Sequence, residues 1–268
     1  MIANARMYCV NAATEAAWRE LLAWVVERAG VDCRVIDYPA PQHLPDLWGR
    51  DDLACAFMCG YPLSQRHPQP VVLAAPVPSL ERYGARPVYW TDLVVRDDSS
   101  IVQPADALGQ RMAHTTPDSQ SGYQAPRRFF ARYASFDRKP LFSDLVGPLI
   151  TPRRVVGAIV DGDADIGPVD SYALDLLRLH EPALVARLRT VASTPPTPIP
   201  PLVAAPAIAP QIGARLTAAL LAVGGAPILA GVRNTLLLRG FVAAHTMAYD
   251  QLAQEAADTD RTGYVHLG

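Results

Sequence analysis

The amino-acid sequence predicts an α/β protein, and three observations carry that expectation. Short apolar runs alternate with longer stretches whose apolar residues recur at helical spacing, and the alternation persists along most of the chain. The first 38 residues read as strand, helix, strand. Near the end, residues 195–210 hold seven prolines in sixteen positions and break the rhythm. With 268 residues, half of them hydrophobic, the chain can bury one large core or two moderate ones.

Residues 7–10, Met-Tyr-Cys-Val, are expected as the opening strand. An amphipathic helix over 15–29 follows and stops at Gly30, and 33–38 is the next strand. Further strands are expected at 53–58, 71–75, 89–95, 111–114, 164–168 and 188–192, with helices near 124–133, 153–161 and 172–179. Such alternation implies mostly parallel sheets. The proline tract is too rich in proline for a helix or a central strand, so an extended crossing segment is expected there. Two helical patterns, 210–223 and 230–254, and a polar tail, 258–268, complete the chain.

Bulk chemistry excludes several functions. The formal charge of −2 gives no broad positive field for a phosphodiester backbone, so nucleic acid is not an expected partner. Lys139 is the lone lysine among 24 basic residues, a bias shared with the abundance of Ala, Pro and Val, so a single arginine says little about an anion site. The longest apolar stretch, around 218–238, is broken by Gly-Gly-Ala-Pro and by Arg233 and Asn234, and no stable membrane insertion is expected. Residues 1–6 lead into the first apolar run without a signal-peptide core, so a cytoplasmic location is expected for the chain as written, and a periplasmic one if the N-terminus is longer or has been processed.

Cys9, Cys33, Cys55 and Cys59 lack CxxC or Cys/His metal spacing and are expected as reduced thiols. Asp161, Asp163 and Asp165 alternate like calcium ligands but lack the rest of an EF-hand, and read as a polar turn. There is no GxSxG or HExxH pattern, and no catalytic residue, cofactor or metal is expected.

The segment that carries chemistry is Ala113-His114-Thr115-Thr116-Pro117-Asp118-Ser119-Gln120-Ser121-Gly122-Tyr123-Gln124-Ala125-Pro126. A strand ending near His114 gives way to a hydroxyl- and amide-rich loop, and Pro126 places a helix start close before it, around Gly122. A helix start offers unpaired N–H groups and partial positive charge, Ser119 and Ser121 add hydroxyl donors, and Gly122 would let a ligand approach the backbone. The alternative is that Ser119 or Ser121 merely caps its own helix. His114 alone of the six histidines adjoins this segment, and is expected to be satisfied by the backbone.

Pro117-Asp118-Ser119-Gln120-Ser121-Gly122-Tyr123 resembles the serine-rich SGY loop of the phosphonate-binding components of ABC importers and of their phosphate and phosphite relatives. Phe57-Met58-Cys59-Gly60-Tyr61-Pro62, Pro87-Val88-Tyr89-Trp90-Thr91-Asp92-Leu93-Val94-Val95 and the run from Val156 through Gly167 and Pro168 to Asp170 are similar to other parts of that family, in the same order. The resemblance implies a type II periplasmic-binding-protein-like fold, two α/β lobes joined by two crossing strands. On it, lobe I is 1–92 plus 196–268 and an inserted lobe II is 93–195. The resemblance further implies that a small anionic ligand is captured between the lobes, with an ABC permease as partner, and that Cys59, Gly60, Tyr61, Tyr89, Ser119, Gln120, Ser121, Gly122 and Asp170 face it.

The chain departs from the family at two places. Where phosphonate receptors keep a histidine it reads Ile150-Thr151-Pro152-Arg153-Arg154, and where they keep an acid in the return crossing it reads Thr197-Pro198-Ile199-Pro200. A plain oxyanion or a different small ligand is therefore expected rather than an aminoalkylphosphonate. ABC-type uptake or sensing is the expected role, and the alternative function is a cytosolic enzyme of cofactor biosynthesis on the same fold.

Overall fold

The computed structural model of the chain describes residues 1–134 and 139–268. It divides into two compact units, Met1–Val88 with Pro198–Asp250, and Tyr89–Thr197 with Gln251–Gly268. The strands are β1 (Ile2–Asn4), β2 (Arg34–Val35), β3 (Leu53–Phe57), β4 (Val71–Pro78), β5 (Val88–Tyr89), β6 (Thr91–Arg96), β7 (Arg111–Ala113), β8 (Asp144–Val146), β9 (Ile166–Asp170), β10 (Leu188–Ser193), β11 (Thr197–Pro198), β12 (Leu202–Ala204) and β13 (Leu238–Val242). The helices are α1 (Ala12–Ala29), α2 (Leu44–Trp48), α3 (Gly60–Gln65), α4 (Ala125–Phe130), α5 (Pro152–Val160), α6 (Ser171–His180), α7 (Pro182–Val185), α8 (Pro210–Ala222), α9 (Ala230–Thr235) and α10 (Met247–Arg261).

In the first unit a six-stranded sheet runs β13-β4-β12-β3-β1-β2. The opening strand is Ile2–Asn4 rather than 7–10, because Arg6–Tyr8 turns as a short 3-10 helix. Tyr8 is thereby buried, edge-on to Phe57 at 5.1 Å. Asn11 then caps α1 reciprocally with Thr14, and Gly30 ends the helix in the left-handed region at φ 60°. Trp18, Leu21, Leu22 and Val25 follow the three-and-four spacing and are fully buried, each stabilising the unit by about 1.5–3 kcal/mol.

Three expectations in this unit are corrected. The proline tract contains a central strand, β12, lying between β4 and β3, because Leu202, Val203 and Ala204 sit in its proline-free gap and keep their N–H groups. The pattern over 230–254 is not one helix: Leu237, at φ 47°, turns the chain out of α9 and the apolar run after it becomes β13. The sheet is mixed rather than mostly parallel, β1 pairing in parallel with β2 and β3 while β12 and β13 run antiparallel to their neighbours.

The second unit holds a five-stranded sheet, β10-β6-β9-β7-β8. It too is mixed, with β7 parallel to β8 and β9, and β6 antiparallel to β9 and β10. Its core gathers Leu93, Val95, Met112, Phe130, Phe142 and Ile166 with Tyr264 and Leu267 from the end of the chain. Residues 251–268 thus pack with this unit, not with the first lobe to which the sequence assigned them. The physical reason is Arg127, 3% exposed, which donates to Asp260 (2.5 Å), to the carbonyl oxygens of Tyr264 (3.0 Å), Val265 (3.2 Å) and Ala256 (3.2 Å), and through Nε to Gln124 (3.1 Å). A buried guanidinium requires such partners, and the tail supplies them.

Among the described residues no single helix is long and apolar enough to cross a membrane; the pair Pro210–Gly225 and Pro227–Thr235 passes by composition but is bent by 72°.

Candidate functional site

In the second unit, Ser119 is extended (φ −74°, ψ 128°) and its Oγ accepts the Gly122 N–H at 3.0 Å, so Ser119 caps the helix that follows. The first turn is wide, Gln124 N donating to Ser119 O at 3.0 Å, and then narrows into α4. Pro126 stands in α4's first turn, where its missing N–H costs little. Gln120, Ser121, Gly122 and Tyr123 are buried.

Ser121 is used differently from Ser119. Its carbonyl accepts the Thr91 hydroxyl at 2.9 Å, while neither its own hydroxyl nor its N–H has a hydrogen-bond partner among the described residues. Thr91 is itself fixed twice by Thr194, donating its N–H to Thr194 Oγ1 (3.0 Å) and accepting the Thr194 N–H on its carbonyl (2.9 Å). Sequence reasoning missed Thr91 and Thr194 as site-building residues, because the pairing that buries both threonines is set by the fold and not by their neighbours in sequence.

Thr91 is the register partner of Asp170 in the β6–β9 ladder, and β9 packs beside the 120–124 turn. Asp170, 5% exposed, accepts the Tyr172 and Ala173 N–H groups on Oδ1 at 2.9 and 3.0 Å and so caps α6. Tyr89 is buried at the second position of β5. The expected Ser119, Gln120, Ser121, Gly122 and Asp170 therefore lie along one end of this sheet.

Gly122 has a further reason to be glycine. A Cβ built there would stand 1.9 Å from Thr115 Oγ1, so the strand-end threonine occupies that side of the backbone and the Gly122 N–H is already given to Ser119. Open approach of a ligand at Gly122 is not what the glycine provides.

His114 lies edge-on to Tyr123 with ring centroids 5.5 Å apart and covers Gly147, where a Cβ would be 2.6 Å from Nε2. Its Nδ1 makes no hydrogen bond of normal geometry among the described residues, contrary to the expectation that the backbone satisfies the ring. Burial lowers its pKa, opposed by the Thr115 backbone.

The first unit has a turn of its own at the residues expected to face a ligand. Cys59, buried, links β3 to α3 without capping it by its side chain, and Leu63 N donates to Cys59 O at 3.1 Å. The Gly60 and Tyr61 N–H groups have no acceptor among the described residues, and Ser64 Oγ donates to Tyr61 O at 2.7 Å. All four cysteines are free thiols, and burial pushes Cys9 up to about 12. Asp165, one of the alternating aspartates, accepts Arg111 at 2.8 and 3.0 Å, and that guanidinium holds its pKa below the usual carboxylate range. Among the described residues no group of His, Cys, Asp and Glu could hold a metal ion.

The family model of ABC-transporter phosphonate periplasmic substrate-binding proteins matches residues 11–249. The chain belongs to this family. Its members are substrate-binding transport proteins, not enzymes, which sets aside the alternative of a biosynthetic enzyme; they bind a small ligand and work with a permease. The fold is the expected type II periplasmic-binding-protein fold. The binding-protein component of an ABC phosphonate transporter from Pseudomonas aeruginosa superposes with a TM-score of 0.83 at 17% identity, covering 98% of this chain and 87% of that one. PhnD1 from Prochlorococcus marinus, in complex with methylphosphonate, gives 0.75 at 14% identity and covers 97% and 98%. XAC2383 from Xanthomonas citri, bound to ATP, gives 0.67 at 18% identity and covers 98% of each chain. Curated proteins give no match. The family is periplasmic by description, and the expectation of a cytoplasmic location finds no support in it.

Proposed function

We propose that this chain captures a small tetrahedral oxyanion of phosphorus, phosphate, phosphite or an alkylphosphonate, on the 119–122 loop, and serves an ABC importer from the periplasm. The observation that carries the reading is Ser121, a buried residue whose hydroxyl and N–H both lack a partner at the first turn of a helix while its carbonyl is pinned by Thr91. Unpaired donors at a helix start suit an anion. Methylphosphonate in PhnD1 and the family description supply the substrate class.

In this reading Ser121 and Gln120 donate to the oxyanion, Ser119 holds the turn, Tyr89 is a contact, and Asp170 takes a proton-bearing ligand oxygen. A carboxylate a few Å from a fully deprotonated anion repels it, so Asp170 should favour phosphate, phosphite and phosphonate over sulfate.

Isothermal calorimetry with methylphosphonate, phosphate, phosphite and sulfate tests both statements. Ser121→Ala should weaken binding of the phosphorus anions by roughly 1–3 kcal/mol with the fold intact. Unchanged affinity for every one of them would remove Ser121 from the site. Asp170→Asn keeps the cap and should narrow the preference over sulfate; an unchanged ratio would leave Asp170 as a cap alone.

A further inference from the structure

A groove of about 220 Å³ in the second unit begins at Gln120, on the 119–122 loop, and runs along α4 to Arg132. Phe129 and Thr197 line it, and its charged side chains are Arg128, Arg132 and Glu255. The two arginines stand four residues apart on a helical stretch, so they share a wall, where like charges repel. Arg128 is matched by Glu255 at 2.5 Å. Arg132 is not: its guanidinium lies 4.3 Å from the centre of the Phe129 ring and donates only Nε, to Phe129 O at 2.9 Å. Among the described residues no carboxylate meets its two terminal nitrogens.

The groove therefore carries two fixed cations against one carboxylate, and it is continuous with the loop assigned above to the oxyanion. Stacking on Phe129 restrains the Arg132 side chain before any ligand arrives, which lowers the entropy lost when its fork engages an anion. A methylphosphonate leaves this space unused.

We propose that the groove is a specificity subsite for a second anionic group, so that the preferred ligands are organophosphonates or phosphate esters bearing a carboxylate or further phosphoryl group on a short chain. The phosphonate end stays on the 119–122 loop, the chain lies over Phe129, and the distal anion meets Arg132. Glu255 limits the charge that the groove accepts. This rests on the oxyanion reading of Ser121.

The test is a calorimetric series of ω-carboxyalkylphosphonates, each against the alkylphosphonate of matching length, with methylphosphonate as the short reference. An exposed but pre-oriented arginine should favour the carboxylated ligand by roughly three- to tenfold at the length that reaches it, with the advantage shrinking as salt is raised. Arg132→Gln should abolish that advantage and leave methylphosphonate affinity as it was, while Glu255→Gln should enlarge it. If the parent shows no advantage at any length, or the advantage survives Arg132→Gln, the subsite is refuted although methylphosphonate binds. If no phosphonate binds, the oxyanion reading has failed and the subsite falls with it.

Discussion

Ser119 and Ser121 stand two residues apart, yet their hydroxyls do different work. Ser119 Oγ accepts the Gly122 N–H, so Ser119→Ala should cost about 1 kcal/mol of stability through the lost cap, seen as a lower midpoint in urea. Ser121→Ala should leave that midpoint nearly unchanged and act on affinity. His114 adds a pH dependence. Its pKa is depressed in the folded protein, so the unfolded chain takes up the proton first: stability is complete above the ordinary value near 6.5 and is lost as pH falls from there through the folded pKa. His114→Gln should flatten the melting temperature below pH 6.5 relative to the parent. The sequence placed both serines at the helix start but could not say which one capped, because a one-residue difference in where a turn begins decides it. The unsatisfied Nδ1 of His114 was invisible for a similar reason: what surrounds the ring, Tyr123 and Gly147, is set by the fold, not by its neighbours in sequence.

At the scale of elements, several strands were legible from short runs rich in apolar residues. Residues 53–58 and 188–192 were read within a residue or so of β3 and β10. The misreadings share a cause. β12 is three residues long inside a proline-rich tract, and β13 follows α9 without a polar break, so local composition pointed away from both. Pairing with β4 wins in each case, because a strand inside a sheet satisfies its backbone N–H and C=O groups at once. Gly240 is a test of β13. A Cβ there would stand 2.9 Å from Gly224 Cα, so Gly240→Ala must push β13 off its neighbour and should destabilise the first unit by roughly 1–3 kcal/mol. A chemical denaturation midpoint equal to the parent's would mean the strand edge yields.

For the whole molecule, the amount of secondary structure was readable, but the path of the chain between units was not. The division expected the last 73 residues to stay together, and instead α10 carries the chain out of the first unit at Asp250 and its end completes the core of the second. The polar look of 258–268 concealed this, since Tyr264, Val265 and Leu267 are its only large apolar residues and only Tyr264 and Leu267 are buried. Deleting 251–268 would leave the Arg127 guanidinium with Gln124 as its one remaining acceptor among those described, a loss of about 3–5 kcal/mol. Hydrogen exchange should then rise selectively in β6, β7 and β9. Arg127→Met should raise it less, because an apolar chain of similar length removes the charge as well as its partners.

The contact between Thr115 and Gly122 makes the two positions one locus with a shared allowance of volume. Thr115 Cβ would lie 2.8 Å from a Cβ at 122, so trimming Thr115 to alanine cannot make room for Gly122→Ala; only a glycine at 115 can. The expected pattern is reciprocal. Gly122→Ala alone should unfold the turn and abolish phosphonate binding, and combining it with Thr115→Gly should recover part of both, a positive coupling measurable by a double-mutant cycle. Across relatives that keep this loop, the same exclusion should show as compensating exchange: a side chain at one of the two positions, and none at the other.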